Sequence, residues 1–241
     1  MFTERVRQIW NAQNAQRPIG ERPTQRDWFT FEASADATDL YIYDAIYPDD
    51  GWGGGGIGAA AFQEQLHAVK TPIINLYLNS PGGLVHEGIA IYNALRAHPA
   101  RVNVTVQGIA ASIASVIAQA GDAIEMASGS MMMIHEAWGG AVGTASDMRR
   151  AADGLDKMTS SIAGIYALRS GVDANHWLGL MAEETWFTDR EAVAAGLADI
   201  APASVPMPKA QLWGQQSDTG AAARRLLAVA HMEVLHHAYA Q

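Results

Sequence analysis

Short apolar or β-branched runs alternate along this chain with longer segments whose apolar residues recur every three or four positions. The short runs predict strands at Phe29–Phe31, Leu40–Ile46, Ile73–Leu78, Val102–Val106, Ala123–Met126 and Met131–Ile134. The longer segments predict helices at Ala59–Val69, Leu84–Ala97 and Ser112–Ala120, and a long helix over about Thr144–Ser170. A shorter helix starts near Asp173, another at Asp189–Ala195 follows Trp186-Phe187-Thr188, and Leu197–Ile200 closes the pattern. Strands alternating with helices in this way predict an α/β domain over about residues 31–200. Residues 1–30 read as a polar N-terminal arm in which Phe2, Val6, Ile9 and Trp10 have helical spacing. After Ala201 the chain turns Pro-rich and then Gly/Gln/Ser-rich, a linker leading to an amphipathic helix over about 221–240.

Composition narrows the class. In 241 residues, 49% are hydrophobic and 17% charged, enough to build a packed core rather than a disordered chain. A net charge of −9 argues against a nucleic-acid surface, and Arg149-Arg150 and Arg224-Arg225 are too small to reverse that. The chain has no cysteine, which excludes disulfides and thiolate chemistry and is compatible with a reducing cytoplasm. No apolar run approaches the ~20 residues of a membrane span, and the N-terminus is polar and charged, so a soluble, cytoplasmic protein without a membrane partner is expected. The Gly-rich run between Tyr47 and Gly58 carries no Lys-Ser/Thr and no strand-to-helix fingerprint, and reads as a surface loop rather than a phosphate cradle.

Three pieces at predicted strand ends carry chemistry, the usual location of sites in α/β sheets. The first is Gly108-Ile109-Ala110-Ala111-Ser112-Ile113-Ala114-Ser115, read as a glycine-permitted turn leading into a helix that starts beside Ser112. A serine there presents its hydroxyl where free N–H groups favour developing negative charge, although small residues around a serine also fit plain helix packing. The second is Ser80-Pro81-Gly82-Gly83, which is either an ordinary tight turn or a segment able to aim a peptide N–H into a site. The N–H groups of Gly83 and Ile113 would then form an oxyanion hole. The third is His135 at the end of the Met131-Met132-Met133-Ile134 run, placed as a general base toward Ser112 or as a structural histidine, with the methionines as core packing.

Taken together, these motifs resemble the proteolytic subunit of the Clp protease family. Asn-Ser-Pro-Gly-Gly, Gly-x-Ala-Ala-Ser, Met-Ile-His, Glu191-Ala192-Val193 and Gly196-Leu197-Ala198-Asp199 occur in that family's order, over about residues 38–200. The resemblance implies a Clp/crotonase-type spiral α/β fold of ββα units with a long protruding helix. It implies a serine endopeptidase with Ser112 as nucleophile, His135 as general base and Gly83 and Ile113 as oxyanion donors. No metal or cofactor is implied. The family's orienting aspartate maps onto Leu180; Glu184, about one turn further on if the helix continues, is the candidate third member. Glu183, Asp173, a Ser–His dyad or a water partner remain open, and Glu184 also reads as a surface carboxylate.

The wording of residues 183–188 and 135–140 is more like the Clp-like head-maturation (prohead) proteases of tailed bacteriophages. That likeness implies capsid and scaffold proteins as polypeptide substrates, and action in the bacterial host cytoplasm or the procapsid. Relatives pack into rings through a long helix, here about Thr144–Ser170, so a homo-oligomeric ring is expected. The differing arm and tail speak against a docked unfoldase. Two other classes stay open. An acyl-CoA hydratase or isomerase of the crotonase type shares the fold without needing the Ser–His pair, and a degenerate protease kept as a scaffold component would explain Leu180.

Overall fold

A computed structural model describes residues 29–34, 36–47 and 58–202. Most of the expected arm, the Gly-rich run at 48–57, and the linker and C-terminal helix fall outside the described residues. The chain opens with an antiparallel pair, β1 (Phe29–Ala33) and β2 (Ala37–Tyr43). It continues through α1 (Ala59–Ala68), β3 (Ile73–Ser80), α2 (Val85–Ala97), β4 (Arg101–Ala111), α3 (Ile113–Ala118), β5 (Ala123–Met126) and β6 (Met131–Ile134). The long α4 (Ala145–Ser170), then α5 (Ala174–Ala182), β7 (Thr185–Thr188) and α6 (Asp189–Ala194) complete it. Among the described residues seven strands form one sheet in the order β1-β2-β3-β4-β6-β7, with β5 pairing to β4 off that path and bridging Ile200. Parallel β2, β3 and β4 joined by helices make this the α/β fold expected from the alternation of periods.

β4 is the strand on which the site depends. Val102, Val104 and Val106 point into the core while Asn103, Thr105 and Gln107 face outward, the period-two pattern of a half-buried strand. The expected turn at Gly108 does not occur; the strand runs on to Ala111. Against β3 the register shifts, so the four steps from Val106 to Ala110 lie opposite the two from Leu78 to Ser80. The Asn79 side chain fills this bulge, its Oδ1 accepting the Ile109 N–H at 3.1 Å. Gly108 is required by that packing, because a Cβ on it would sit 2.5 Å from Asn79 Oδ1. The other edge of β4 serves two partners in turn, β5 along Asn103–Val106 and β6 along Ile109–Ala111. A bulge lets one strand bend from one neighbour to the next.

Other boundaries move for similar reasons. β2 starts earlier than expected and stops at Tyr43, leaving Ile46 as a single bridge to Gly83. α3 is shorter than the expected Ser112–Ala120, and all six of its residues are buried. A helix apolar all round belongs inside a core. β7 has no counterpart among the expected strands; it pairs antiparallel with β6, Met133 opposite Trp186. α4 is fixed at both ends by a Thr144–Asp147 capping box and by Gly171 in the left-handed conformation. Its core-facing residues, Thr159, Ile162, Ala163 and Tyr166, all lie in its second half. Among the described residues no helix is long and apolar enough to cross a membrane.

Candidate active site

Register brings the two candidate side chains together. Ala111 pairs with Met133 in the parallel β4–β6 ladder, so Ser112 and His135, one and two residues further along, emerge side by side. The Ser112 N–H extends the ladder by donating to Met133 O at 2.9 Å. His135 Nε2 then lies 2.7 Å from Ser112 Oγ. With Nε2 accepting the hydroxyl proton, the neutral ring carries its own proton on Nδ1. Both residues are half-buried, at the rim of the core.

Ser112 is the N-cap of α3, yet its hydroxyl caps nothing. Serine at this position ordinarily accepts a hydrogen bond from the first turn; here the hydroxyl is turned to the imidazole instead. Its backbone, at φ 54° and ψ −128°, is unfavourable for a residue with a Cβ, a strain of order 1–3 kcal/mol. The Met133 carbonyl on one side and the buried α3 on the other hold that turn in place.

The Ser80–Gly83 segment is more than a turn. The buried Ser80 hydroxyl donates to Asp44 O at 2.6 Å and accepts the Gly82 N–H at 3.1 Å. Ile46 N donates to Gly82 O at 2.8 Å, and Leu84 N donates to Ile46 O at 2.9 Å. Since the polar groups flanking Gly83 both turn to Ile46, the Gly83 N–H points to the opposite side. Gly82, at φ +95°, lies flush against the Ser112 turn: a Cβ there would be 2.6 Å from Ala111 O, 2.8 Å from Ser112 Cβ and 3.1 Å from Ile113 N. Gly83 lies closer still to Ile46 on its other flank.

The third position differs from its sequence rationale. α5 ends at Ala182 with Glu183 as its cap, so Glu184 is not a helical turn beyond Leu180. Glu184 adopts φ 49° as the chain reverses into β7, and its Oε1 accepts the Trp186 indole N–H at 3.4 Å. Leu180 contributes its carbonyl, which accepts the Thr185 hydroxyl at 2.7 Å. Among the described residues, the one hydrogen bond of the His135 ring is that to Ser112. Burial holds the His135 pKa below its ordinary value, while the carboxylates of Glu184 and then Glu136 pull it upward. Asp173 caps the start of α5 through Asn175 N, and is occupied there. Among the described residues, no group of three or more His, Cys, Asp or Glu side chains is arranged to hold a metal ion.

A family model described as Clp protease matches residues 59–202, well over half of the chain. The chain belongs to the Clp protease family. Among curated relatives of this Clp-family chain is the "ATP-dependent Clp protease proteolytic subunit" of Pleurastrum terricola, 36% identical over 53% of the chain and 66% of the relative. The "ATP-dependent Clp protease proteolytic subunit 3" of Streptomyces coelicolor is 34% identical over 54% of the chain and 65% of its own length. The corresponding subunit of Ligilactobacillus salivarius is 38% identical over 52% and 65%. The chain thus spans just under two thirds of the length of these relatives. The matched region contains Gly83, Ser112, Ile113, His135 and Glu184.

Several residues that shape the site had no role assigned from sequence: Asn79, Ser80 and Ser115, which sat inside the quoted motifs, and Thr159 and Tyr166, which sat in none. Ser115 had a local signal, a hydroxyl inside an otherwise apolar six-residue helix. Tyr166 had none, because its partner lies 51 positions away.

Proposed function

We propose that this chain is a serine endopeptidase that cleaves peptide bonds through an acyl-enzyme on Ser112. The observation that carries the reading is the 2.7 Å contact between His135 Nε2 and Ser112 Oγ, made by a serine whose hydroxyl is withheld from capping its own helix. Ser112 Oγ attacks the substrate carbonyl carbon as its proton passes to His135 Nε2. The oxyanion that forms is met by the N–H groups of Gly83 and Ile113. His135 then gives the proton to the departing amine, and water, deprotonated by the same nitrogen, releases the acyl group and restores the serine. A crotonase-type hydratase has no use for a serine hydroxyl bonded to an imidazole, and a degenerate scaffold has no reason to keep both.

A serine-directed fluorophosphonate tests this. Mass spectrometry should find one adduct, on Ser112, formed far more slowly in His135→Ala; an unreactive Ser112 in the intact protein overturns the assignment.

Glu184 is proposed as an electrostatic rather than hydrogen-bonded partner of the imidazole. The base must be neutral to act, so a depressed His135 pKa places the acid limb of kcat/KM below the usual histidine range near 6.5. Glu184→Gln removes a charge that raises this pKa, so the limb should move to still lower pH. The accompanying loss of rate should be far smaller than the roughly 10⁴-fold seen when a fully engaged triad carboxylate is neutralised. An acid limb that stays put, or moves up, removes Glu184 from this role. The same linkage acts on stability: the unfolded chain takes up the His135 proton first, so acidification through about pH 6.5 favours unfolding.

We further infer assembly into a ring, with α4 as the contact element. The first half of α4, residues 145–158, has no buried side chain, and it carries Met148, Ala151, Leu155 and Met158 at helical spacing, both methionines 42% exposed. The finer biological reading is that of a phage head-maturation protease trimming capsid and scaffold polypeptides in the host cytoplasm or procapsid. It rests on the wording of residues 183–188 and 135–140, and on an N-terminal arm and a tail after residue 200 that differ from the family's. Scaffold and capsid polypeptides from a tailed phage are therefore the substrates to offer first.

A further inference from the structure

Two buried hydroxyls beside Ser112 play no part in the chemistry above. Ser115 is fully buried in α3, and Tyr166 is 1% exposed on the buried half of α4. Ser115 Oγ lies 2.5 Å from the Ser112 carbonyl oxygen and 2.7 Å from the Tyr166 hydroxyl. A serine hydroxyl has a single hydrogen. A carbonyl oxygen tolerates so close an approach only from a donor, so that hydrogen goes to Ser112 O. The Tyr166 hydroxyl must then be the donor to Ser115 Oγ. The hydrogen bonds run one way, from Tyr166 through Ser115 to the Ser112 carbonyl. Burial raises the Tyr166 pKa and keeps that donor protonated.

The Ser112 carbonyl and the Ile113 N–H belong to one planar peptide group, so fixing the first fixes the second. This peptide follows a strained φ, which leaves its orientation dependent on outside support. The Ser115 N–H, at 3.0 Å, shares the same carbonyl, and the hydroxyl supplies the shorter bond. Hydrogen bonds in such a chain also polarise one another, which strengthens the N–H at the far end of the peptide as a donor. Two turns before Tyr166, on the same side of α4, the Thr159 hydroxyl oxygen accepts the Ala137 N–H at 3.0 Å, just past His135. α4 thus holds the backbone on both sides of the Ser112–His135 pair.

We propose that Ser115 and Tyr166 are positioning residues that turn the Ser112–Ile113 peptide so that its N–H faces the oxyanion. The proposal rests on the peptidase reading, in which the Ile113 N–H is one of two oxyanion donors. It assigns these residues a role in the transition state and none in substrate binding or in the basicity of His135.

The test compares the full-length parent with Ser115→Ala, Ser115→Thr and Tyr166→Phe, by steady-state peptide cleavage and by the rate of fluorophosphonate acylation. Outright loss of an oxyanion donor costs about 10²–10³ in kcat, so mispositioning one in Ser115→Ala should cost roughly 10- to 100-fold. KM and the acid limb of the pH profile should stay as in the parent. Tyr166→Phe should lose less, in the same parameter, and Ser115→Thr, which keeps a hydroxyl, should recover most of the rate. Should Ser115→Ala fail to fold, Tyr166→Phe decides alone, since it keeps the ring in the core and removes one oxygen. Parent-like rates in Ser115→Ala and Tyr166→Phe overturn the proposal. So does a loss in which KM, the pH limb and the melting temperature all move together, the mark of a merely structural role. A parent unreactive toward the phosphonate overturns the peptidase reading itself, whereas a reactive parent with indifferent variants overturns the positioning role alone.

Discussion

Replacing Ser112 by alanine is expected to lower peptide cleavage on the order of 10⁴-fold or more, with the fold and the assembled state unchanged. Among the described residues the hydroxyl makes one side-chain bond, to His135 Nε2, and caps no helix, so its removal takes away the proposed nucleophile and no structural hydrogen bond there. The strained backbone is held by contacts that an alanine preserves: Ser112 N–H to Met133 O, and the Ser115 N–H and hydroxyl to Ser112 O. His135→Ala should cost a comparable factor, and the double substitution little more than either one, because groups that act as a unit are not additive. Cleavage kinetics beside sedimentation of parent and variant check both halves. Cleavage that survives in Ser112→Ala sinks the acyl-enzyme mechanism. A parent that is inactive yet assembles like the variant would favour the scaffold reading, and a parent that sediments as a monomer would remove the ring.

Gly83→Ala is expected to be the most damaging single methyl group that can be added near the site. A Cβ there would lie 2.0 Å from Ile46 O, 2.7 Å from Ile46 C and 2.8 Å from Ile46 N. These are backbone atoms, so no rotamer change relieves the overlap. The chain must separate from Ile46, breaking the Ile46 N–H to Gly82 O and Leu84 N–H to Ile46 O hydrogen bonds. Two such bonds and the overpacking amount to about 3 kcal/mol or more of lost stability. The same movement carries the Gly83 N–H away from the oxyanion position, so kcat should fall at least about 10²-fold even in the fraction that stays folded. Gly140→Ala is the control, since a Cβ there meets nothing within 4 Å. Thermal unfolding and kcat, measured on both variants, should separate them clearly. A Gly83→Ala protein that melts and turns over like the Gly140→Ala control would show that the close approach to Ile46 is not needed.

The elements nearest the site show where reading the chain succeeds and where it stops. Val102–Val106 was legible as a strand because alternate residues face the core. Its continuation to Ala111 was hidden because a bulge filled by Asn79 breaks the alternation and leaves Gly108 looking like a turn. β7 was obscured for a related reason: four residues paired to a buried neighbour need no periodicity of their own. Glu184 was reached by extending a helix that in fact stops at Ala182. Its charge nonetheless raises the His135 pKa against the larger effect of burial, from a left-handed turn that local propensity does not favour for glutamate.

Local order along the chain determined the α/β class, most of the helices and the residue types capable of acyl chemistry, because those depend on side-chain periodicity and on which groups follow the ends of strands. The family motifs were legible for the same reason, each being a short contiguous stretch. Tertiary structure alone decided that Ser112 and His135 meet, since this follows from the pairing of Ala111 with Met133, a register between distant segments. It alone decided that Gly82 and Gly83 lie against the Ser112 turn on one flank and Ile46 on the other, and that Tyr166 reaches Ser115 across 51 positions. Hydrogen-bond partners and excluded volume are properties of which chain segments become neighbours, and packing of the whole domain, rather than any one segment's propensity, selects those neighbours.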